Sequence, residues 1–198
     1  IGESAFEDCK NLTSVTIPNS VISIGNSAFE YCEALTAITL PDSITNIENY
    51  TFHDCKNLTS ITIPDSITSV GEYAFLNTPW FNEQRISNPL VIVNGILIDG
   101  YTCEGDVIIP NDVTSINVSA FSGCDYLTSI IIPDSVTSIG ASAFSGCKNL
   151  TSITIPDSVT TIGDYAFNDI PWLEEQRKKN PLVIINGKLI DGYSCEGD

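Results

Sequence analysis

Polar and apolar residues alternate through Ser60-Ile61-Thr62-Ile63 and again through Ile67-Thr68-Ser69-Val70, with Pro64 standing between the two stretches. Period-two alternation predicts half-buried strands, and proline cannot donate to a ladder, so the pattern predicts two short strands with an enforced break. The second stretch ends at Gly71, after which Ala74-Phe75 supply a small and a large apolar group for an interior. The same order recurs along the chain. Phenylalanines return at one constant interval, at Phe6, Phe29, Phe52 and Phe75, and after a gap of two such intervals at Phe121, Phe144 and Phe167. Self-similarity at a short fixed period predicts a solenoid, mainly β, in which each unit forms one turn. One turn cannot bury its own apolar residues, whereas copies stacked at a strand spacing of about 4.8 Å share a continuous core.

A longer period lies over the short one. Residues 75–106 reappear as residues 167–198, a displacement of four turns. These blocks contain two variant turns, at 76–106 and 168–198. In them Thr78-Pro79-Trp80 and Ile170-Pro171-Trp172 replace the usual sequence after phenylalanine. A threonine before a proline predicts a helix start, and the residues before Pro89 and Pro181 predict its end, with the tryptophan packed on the convex side. Next, Asn94-Gly95 and Asn186-Gly187 each divide two apolar runs, which predicts a tight hairpin. Each variant turn is therefore expected to be a short helix plus a hairpin, inserted in a single coil covering residues 1–198.

Composition narrows the partners. The 198 residues carry 25 acidic and 8 basic side chains, a formal charge of −17, so phosphate backbones and anionic headgroups are repelled and nucleic acid is not expected as a partner. No apolar run approaches the roughly 20 residues that span a bilayer, so direct membrane insertion is not expected. The pattern begins in mid-unit at Ile1-Gly2, and Asp198 stops where its counterpart Asp106 is followed by Val107-Ile108-Ile109. This reads as a fragment of a longer protein, with unpaired edges at both ends and weak end-to-end association.

The unit Ile-Pro-Asp-Ser-Val-Thr-Ser-Ile-Gly-x-x-Ala-Phe-x-x-Cys resembles the BspA-like leucine-rich repeats of bacterial and protist surface proteins. The Pro-Trp helix with its Asn-Gly hairpin resembles a variant turn of the same family. The resemblance covers essentially the whole chain and implies a right-handed leucine-rich-repeat coil. It also implies a secreted or surface-anchored protein, since some family members adhere to host matrix proteins or to other cells. No catalytic residue is associated with the repeat, so none is carried over, and neither enzyme activity nor a cofactor is expected. Ser66 and Ser158 stand where other leucine-rich repeats carry a laddered asparagine.

Several residue types carry chemistry that can be read two ways. The single histidine, His53, occupies a variable position after Phe52 and is expected to be solvated surface, because a Ser-His-Asp or Cys-His site would need a nucleophile at a variable loop. Cys9, Cys32, Cys55, Cys124 and Cys147 share one repeat position, which predicts a column of packed, reduced thiols. Cys103 and Cys195 fall in two Cys-Glu-Gly-Asp tetrapeptides four turns apart, and neither set has zinc spacing. Asn19, Asp42, Asp65, Asn111, Asp134 and Asp157 follow the prolines. Stacked carboxylates attract Ca²⁺, but parallel ligands do not converge on one ion, and Asp and Asn after proline also serve turn chemistry. Asn11, Asn57 and Asn149 begin glycosylation sequons, as expected by chance in so threonine-rich a repeat.

The outward strand positions Ser14, Thr16, Thr39, Ser60, Thr62, Ser129, Ser152 and Thr154 form hydroxyl columns that suit either a wettable strand surface or a ligand-binding face. Trp80 and Trp172, with Phe81, Tyr101 and Tyr193 of the variant turns, offer a second anchor region. The resulting expectation is an extracellular or cell-surface binding and adhesion module that meets protein ligands, such as host matrix or other cell-surface proteins, through many shallow contacts. A spacer in a multidomain surface protein is one alternative. The other is a glycan-binding module of a secreted enzyme system.

Overall fold

The computed structural model describes residues 1–191, and the chain forms two compact units, Ile1–Asn88 and Pro89–Asp198. Each unit is a coil of stacked turns. In the first, strand Ala37–Thr39 pairs in parallel with Ser60–Thr62, and Asn46–Ile47 pairs with Ser69–Val70. In the second, the strands Gly105–Ile108, Leu127–Ile131 and Ser152–Thr154 make a three-stranded sheet. The short strands Ser115–Ile116, Ser138–Ile139 and Thr161–Ile162 extend a sheet that begins with the hairpin Val91–Val93 and Ile96–Asp99. Parallel partners such as Ile38 with Ile61 and Ile139 with Ile162 are separated by one phenylalanine interval, so the sequence period is the ladder register.

That register places like on like. Leu35 with Leu58, Ile44 with Ile67, and Val113 with Val136 and Val159 are all buried, as are Phe29, Phe52, Phe121, Phe144 and Phe167. The rings stack nearly flat: Phe6 on Phe29 at 5.1 Å, Phe29 on Phe52 at 5.7 Å and Phe52 on Phe75 at 6.0 Å, then Phe121 on Phe144 at 5.0 Å and Phe144 on Phe167 at 5.7 Å. Removing one such ring to alanine takes away its transfer free energy and leaves a cavity, a loss of about 3–5 kcal/mol.

A further backbone ladder runs along the phenylalanine corner. Amides at the phenylalanine and two residues either side donate to the next turn, as in Tyr50 to Glu72, Phe52 to Ala74 and Asp54 to Leu76 at 2.8–3.0 Å. The amides between them close local turns. This alternation requires positive φ two residues before and two after each phenylalanine. Ser27 and Tyr31, Tyr50 and Asp54, Ser119 and Gly123, and Ser142 and Gly146 all adopt it.

Two α-helices are present among the described residues: α1, Pro79–Ser87, and α2, Pro171–Lys179. Their bounds are those expected from the flanking prolines. Thr78 caps α1 by accepting from the Phe81 amide, whereas Ile170 precedes α2 without a side-chain cap. The predicted hairpins also form, Val91–Val93 with Ile96–Asp99 and Val183–Ile185 with Lys188–Asp191. Asn94, Gly95, Asn186 and Gly187 have φ of 48, 78, 49 and 77°, as a turn with two consecutive positive-φ residues requires. The part of the second variant turn beyond residue 191 lies outside the described residues.

Candidate binding surfaces

The hydroxyl columns are exposed where strands carry them. Thr39 stands beside Thr62 in one parallel pair, and Ser129 beside Ser152 in another, at matching register. Thr39, Ser60, Thr62, Ser152 and Thr154 are exposed, and Ser129 is half-buried. Ser14 and Thr16 are exposed too, but they lie outside any strand. At the edge of the first unit the corner ladder forms from Ser4 onward, while strand pairing starts at Ala37. The columns are also interrupted. Ala37 pairs with Ser60, and in the second unit the column containing Thr154 continues as Ile131 and Ile108. Both isoleucines face out, 70% exposed at Ile108 and 45% at Ile131. The sequence carries the signal in Ser129-Ile130-Ile131-Ile132, where Ser152-Ile153-Thr154-Ile155 would be the regular form. Beside them Asp106 accepts from Ser129 at 2.6 Å and Thr128 at 3.1 Å, and these hydroxyls hold its carboxyl below the usual carboxylate value.

Trp80 and Trp172 close the phenylalanine stacks. Trp80 leans on Phe75 at 4.8 Å and Trp172 on Phe167 at 5.2 Å, and both are half-buried. The buried anchors of the two helices are the next residues, Phe81 and Leu173. Phe81 is therefore core rather than a contact residue, and Arg85 lies over its ring at 4.5 Å. Tyr101 is exposed, and Tyr193 lies outside the described residues.

His53 is not solvated surface. Its side chain is 15% exposed, with Nδ1 at 2.9 Å from Glu30 and Nε2 at 3.3 Å from Asp54. Stacking sets it one turn above Glu30, a neighbour one full repeat earlier in the chain that becomes visible once the register is known. Tyr31 and Tyr50 flank it edge-on at 5.7 and 5.6 Å.

The six described cysteines are unpaired thiols. Cys32, Cys55 and Cys147 each donate to the carbonyl of the phenylalanine one turn back, Phe6, Phe29 and Phe121, at 3.1, 3.0 and 2.9 Å. Burial pushes the Cys55 and Cys147 thiols up to about 12, so they are neither nucleophiles nor ready ligands. Cys103 joins the column of the second unit, its carbonyl accepting from Cys124 at 3.1 Å. Cys195 lies outside the described residues. Two sequon asparagines are structural: Asn57 donates to the Glu33 carbonyl and Asn149 to the Asp125 carbonyl, each at 2.7 Å. The residues after proline, Asp42, Asp65, Asp134 and Asp157 among them, are exposed.

The model of the BspA type leucine rich repeat region matches in six copies, over residues 1–95 and 101–194. No curated protein matches the chain. Among solved structures, the chain is 32% identical to a leucine rich cell surface protein from Faecalibacterium prausnitzii, covering 81% of this chain and 52% of that one with a TM-score of 0.46. It is 28% identical to a leucine-rich repeat protein from Bacteroides ovatus, covering 86% and 44% with a TM-score of 0.45. The leucine-rich repeat protein of T. pallidum is 23% identical over 84% of this chain and 82% of that one, with a TM-score of 0.44. The chain spans about half the length of the first two.

Proposed function

The chain belongs to the BspA-type leucine-rich repeat family, and from that premise we propose that it is a protein-binding module acting at or outside the cell surface. The observation that carries this reading is the outward face of the three-stranded sheet in the second unit. There Ile108 and Ile131 stand exposed in one column, with Thr154 completing it and Asp106, Ser129 and Ser152 forming the polar column alongside. An apolar centre with a polar margin is the anatomy of a protein–protein contact. Exposed isoleucines give a partner surface to desolvate, whereas stacking on sugars calls for aromatic faces. The hydroxyl columns of the first unit, Ser60 and Thr62 with Thr39, add a wettable face of the same kind.

The test is a binding screen of the purified protein against immobilised matrix proteins and a glycan array at near-physiological salt. An Ile108→Thr, Ile131→Thr variant is run beside it. Threonine is the residue that Thr62 and Thr154 carry at the same repeat position, so the fold accommodates it. Saturable binding to a protein, weakened in the variant, is the expected result. Binding to glycans alone would favour a carbohydrate-binding module, and silence on both panels would favour a spacer.

A further inference from the structure

The phenylalanine corner of the first unit carries a run of rings that the fold itself does not require. Tyr31 meets the His53 imidazole at 5.7 Å and 65°, Tyr50 meets it at 5.6 Å and 77°, and Tyr50 meets Tyr73 at 5.6 Å and 45°. Tyr31, Tyr50 and Tyr73 have φ of 58, 57 and 54°. That region suits glycine, asparagine and aspartate, and a larger residue is held there against steric strain. The second unit is an internal control. Its equivalent positions carry Ser119, Ser142 and Tyr165 before the phenylalanine and Gly123, Gly146 and Asp169 after it, and the same backbone forms. Small residues therefore suffice for the corner ladder, and the clustered tyrosines of the first unit call for another explanation.

Charge supplies it. Two carboxylates converge on one imidazole, Glu30 at 2.9 Å from His53 Nδ1 and Asp54 at 3.3 Å from Nε2, so the corner holds more acidic groups than basic ones. The Glu30 charge, with burial and the carboxylates of Asp54 and Asp8, raises the Tyr31 hydroxyl above its ordinary value, a sign of how negative this corner is. Ring planes inclined by 45–77° offer no shared flat face to a sugar, whereas a cation needs only one ring, and Tyr73 is exposed. The chain's charge of −17 draws basic partners from a distance.

We propose that this corner docks a basic segment of a partner protein, with arginine or lysine side chains meeting Tyr31, Tyr50 and Tyr73 and attracted by the charge of Glu30 and Asp54 behind them. This rests on the protein-binding reading and names the chemistry of one partner. The probe is an immobilised synthetic peptide of alternating arginine and glycine, with a glutamate–glycine peptide as control, titrated by surface binding at two salt concentrations.

The informative variant is Tyr50→Ser, Tyr73→Ser. Serine stands at the equivalent positions Ser27, Ser119 and Ser142, so folding is retained, and the net charge does not change. Loss of two cation–π contacts is expected to weaken peptide binding about tenfold, while Tyr165→Ser in the second unit leaves it unchanged. Equal affinity of wild type and the double variant would overturn the proposal, since simple attraction of a polycation by a polyanion ignores the rings. So would failure of the wild type to bind the basic peptide. If matrix proteins still bind in either case, the general binding reading survives without this site.

Discussion

Phe52 lies flat on Phe29, centroid to centroid at 5.7 Å with planes 10° apart, although a whole repeat separates them in the chain. Each ring is the neighbour of the next turn's ring, so the interior is a set of columns rather than a centre. Fully buried Phe52 contacts a ring on both sides, Phe29 and Phe75, while half-buried Phe6 contacts one. Phe52→Ala is accordingly expected to lower unfolding free energy by about 3–5 kcal/mol, and Phe6→Ala by less than half of that. Urea denaturation of the two variants measures the difference; equal losses would mean that the stack is not the unit of stability.

Thr78 does two tasks at a fully buried position: it accepts from the Phe81 amide at 3.1 Å and donates to the Phe75 carbonyl at 2.8 Å. Valine has the same shape and neither function. Because α2 forms behind Ile170 with no side-chain cap, the helix does not depend on the cap to exist. Thr78→Val is expected to cost about 1–2 kcal/mol, with Thr78→Ser recovering most of it. Thermal melts with the helical circular dichroism signal would show lower stability at unchanged helix content.

The readable parts of this fold are those fixed by local chemistry. Pro79 and Pro171 set the helix starts, Asn94-Gly95 and Asn186-Gly187 set the hairpins, and the phenylalanine spacing sets the ladder register. What stayed hidden depends on the turn above or below. His53 looks like a solvated variable residue until stacking brings Glu30 to its ring. The positive φ at Tyr50 is imposed by the corner ladder, although Gly123, Gly146, Asp8 and Asp54 at equivalent corners were a usable sign of it. Ile108 and Ile131 were legible as breaks in the serine–threonine alternation, and their exposure follows from alternation alone.

Asn57 shows how a repeat recruits a side chain to tie turns together. Its Nδ2 donates to the Glu33 carbonyl at 2.7 Å, and Asn149 repeats the bond on Asp125. Asn57→Ala is expected to cost about 0.5–1.5 kcal/mol, because the exposed carbonyl can turn to water. Asn57→Asp should be worse: a carboxylate cannot donate, and it would sit against that carbonyl and the Glu33 side chain. The order of urea midpoints, wild type above alanine above aspartate, is the test. Aspartate matching alanine would show that electrostatic repulsion is screened at this corner.

The thiol column makes stability depend on alkaline pH. Cys55 and Cys147, each donating to a phenylalanine carbonyl, are pushed by burial up to about 12 from an ordinary value near 9, and Cys32 to about 11. Above pH 9 the unfolded chain releases protons that the folded chain retains, so the unfolded state is favoured as pH rises. The contribution is intact below about pH 9 and is lost progressively as pH climbs toward 12, and it leaves acid stability untouched. Urea midpoints measured from neutral pH to about pH 10.5 should therefore fall in the wild type, and fall less steeply in Cys55→Ala, Cys147→Ala. That double variant starts lower at neutral pH, since it loses two packed sulfurs, so the slope and not the intercept is diagnostic. Parallel slopes would assign the alkaline loss to tyrosine ionisation or to the chain's negative charge rather than to the thiols. The same burial predicts that a thiol reagent at pH 8 modifies half-buried Cys9 before Cys32, Cys55, Cys124 or Cys147, whose labelling should wait for denaturant.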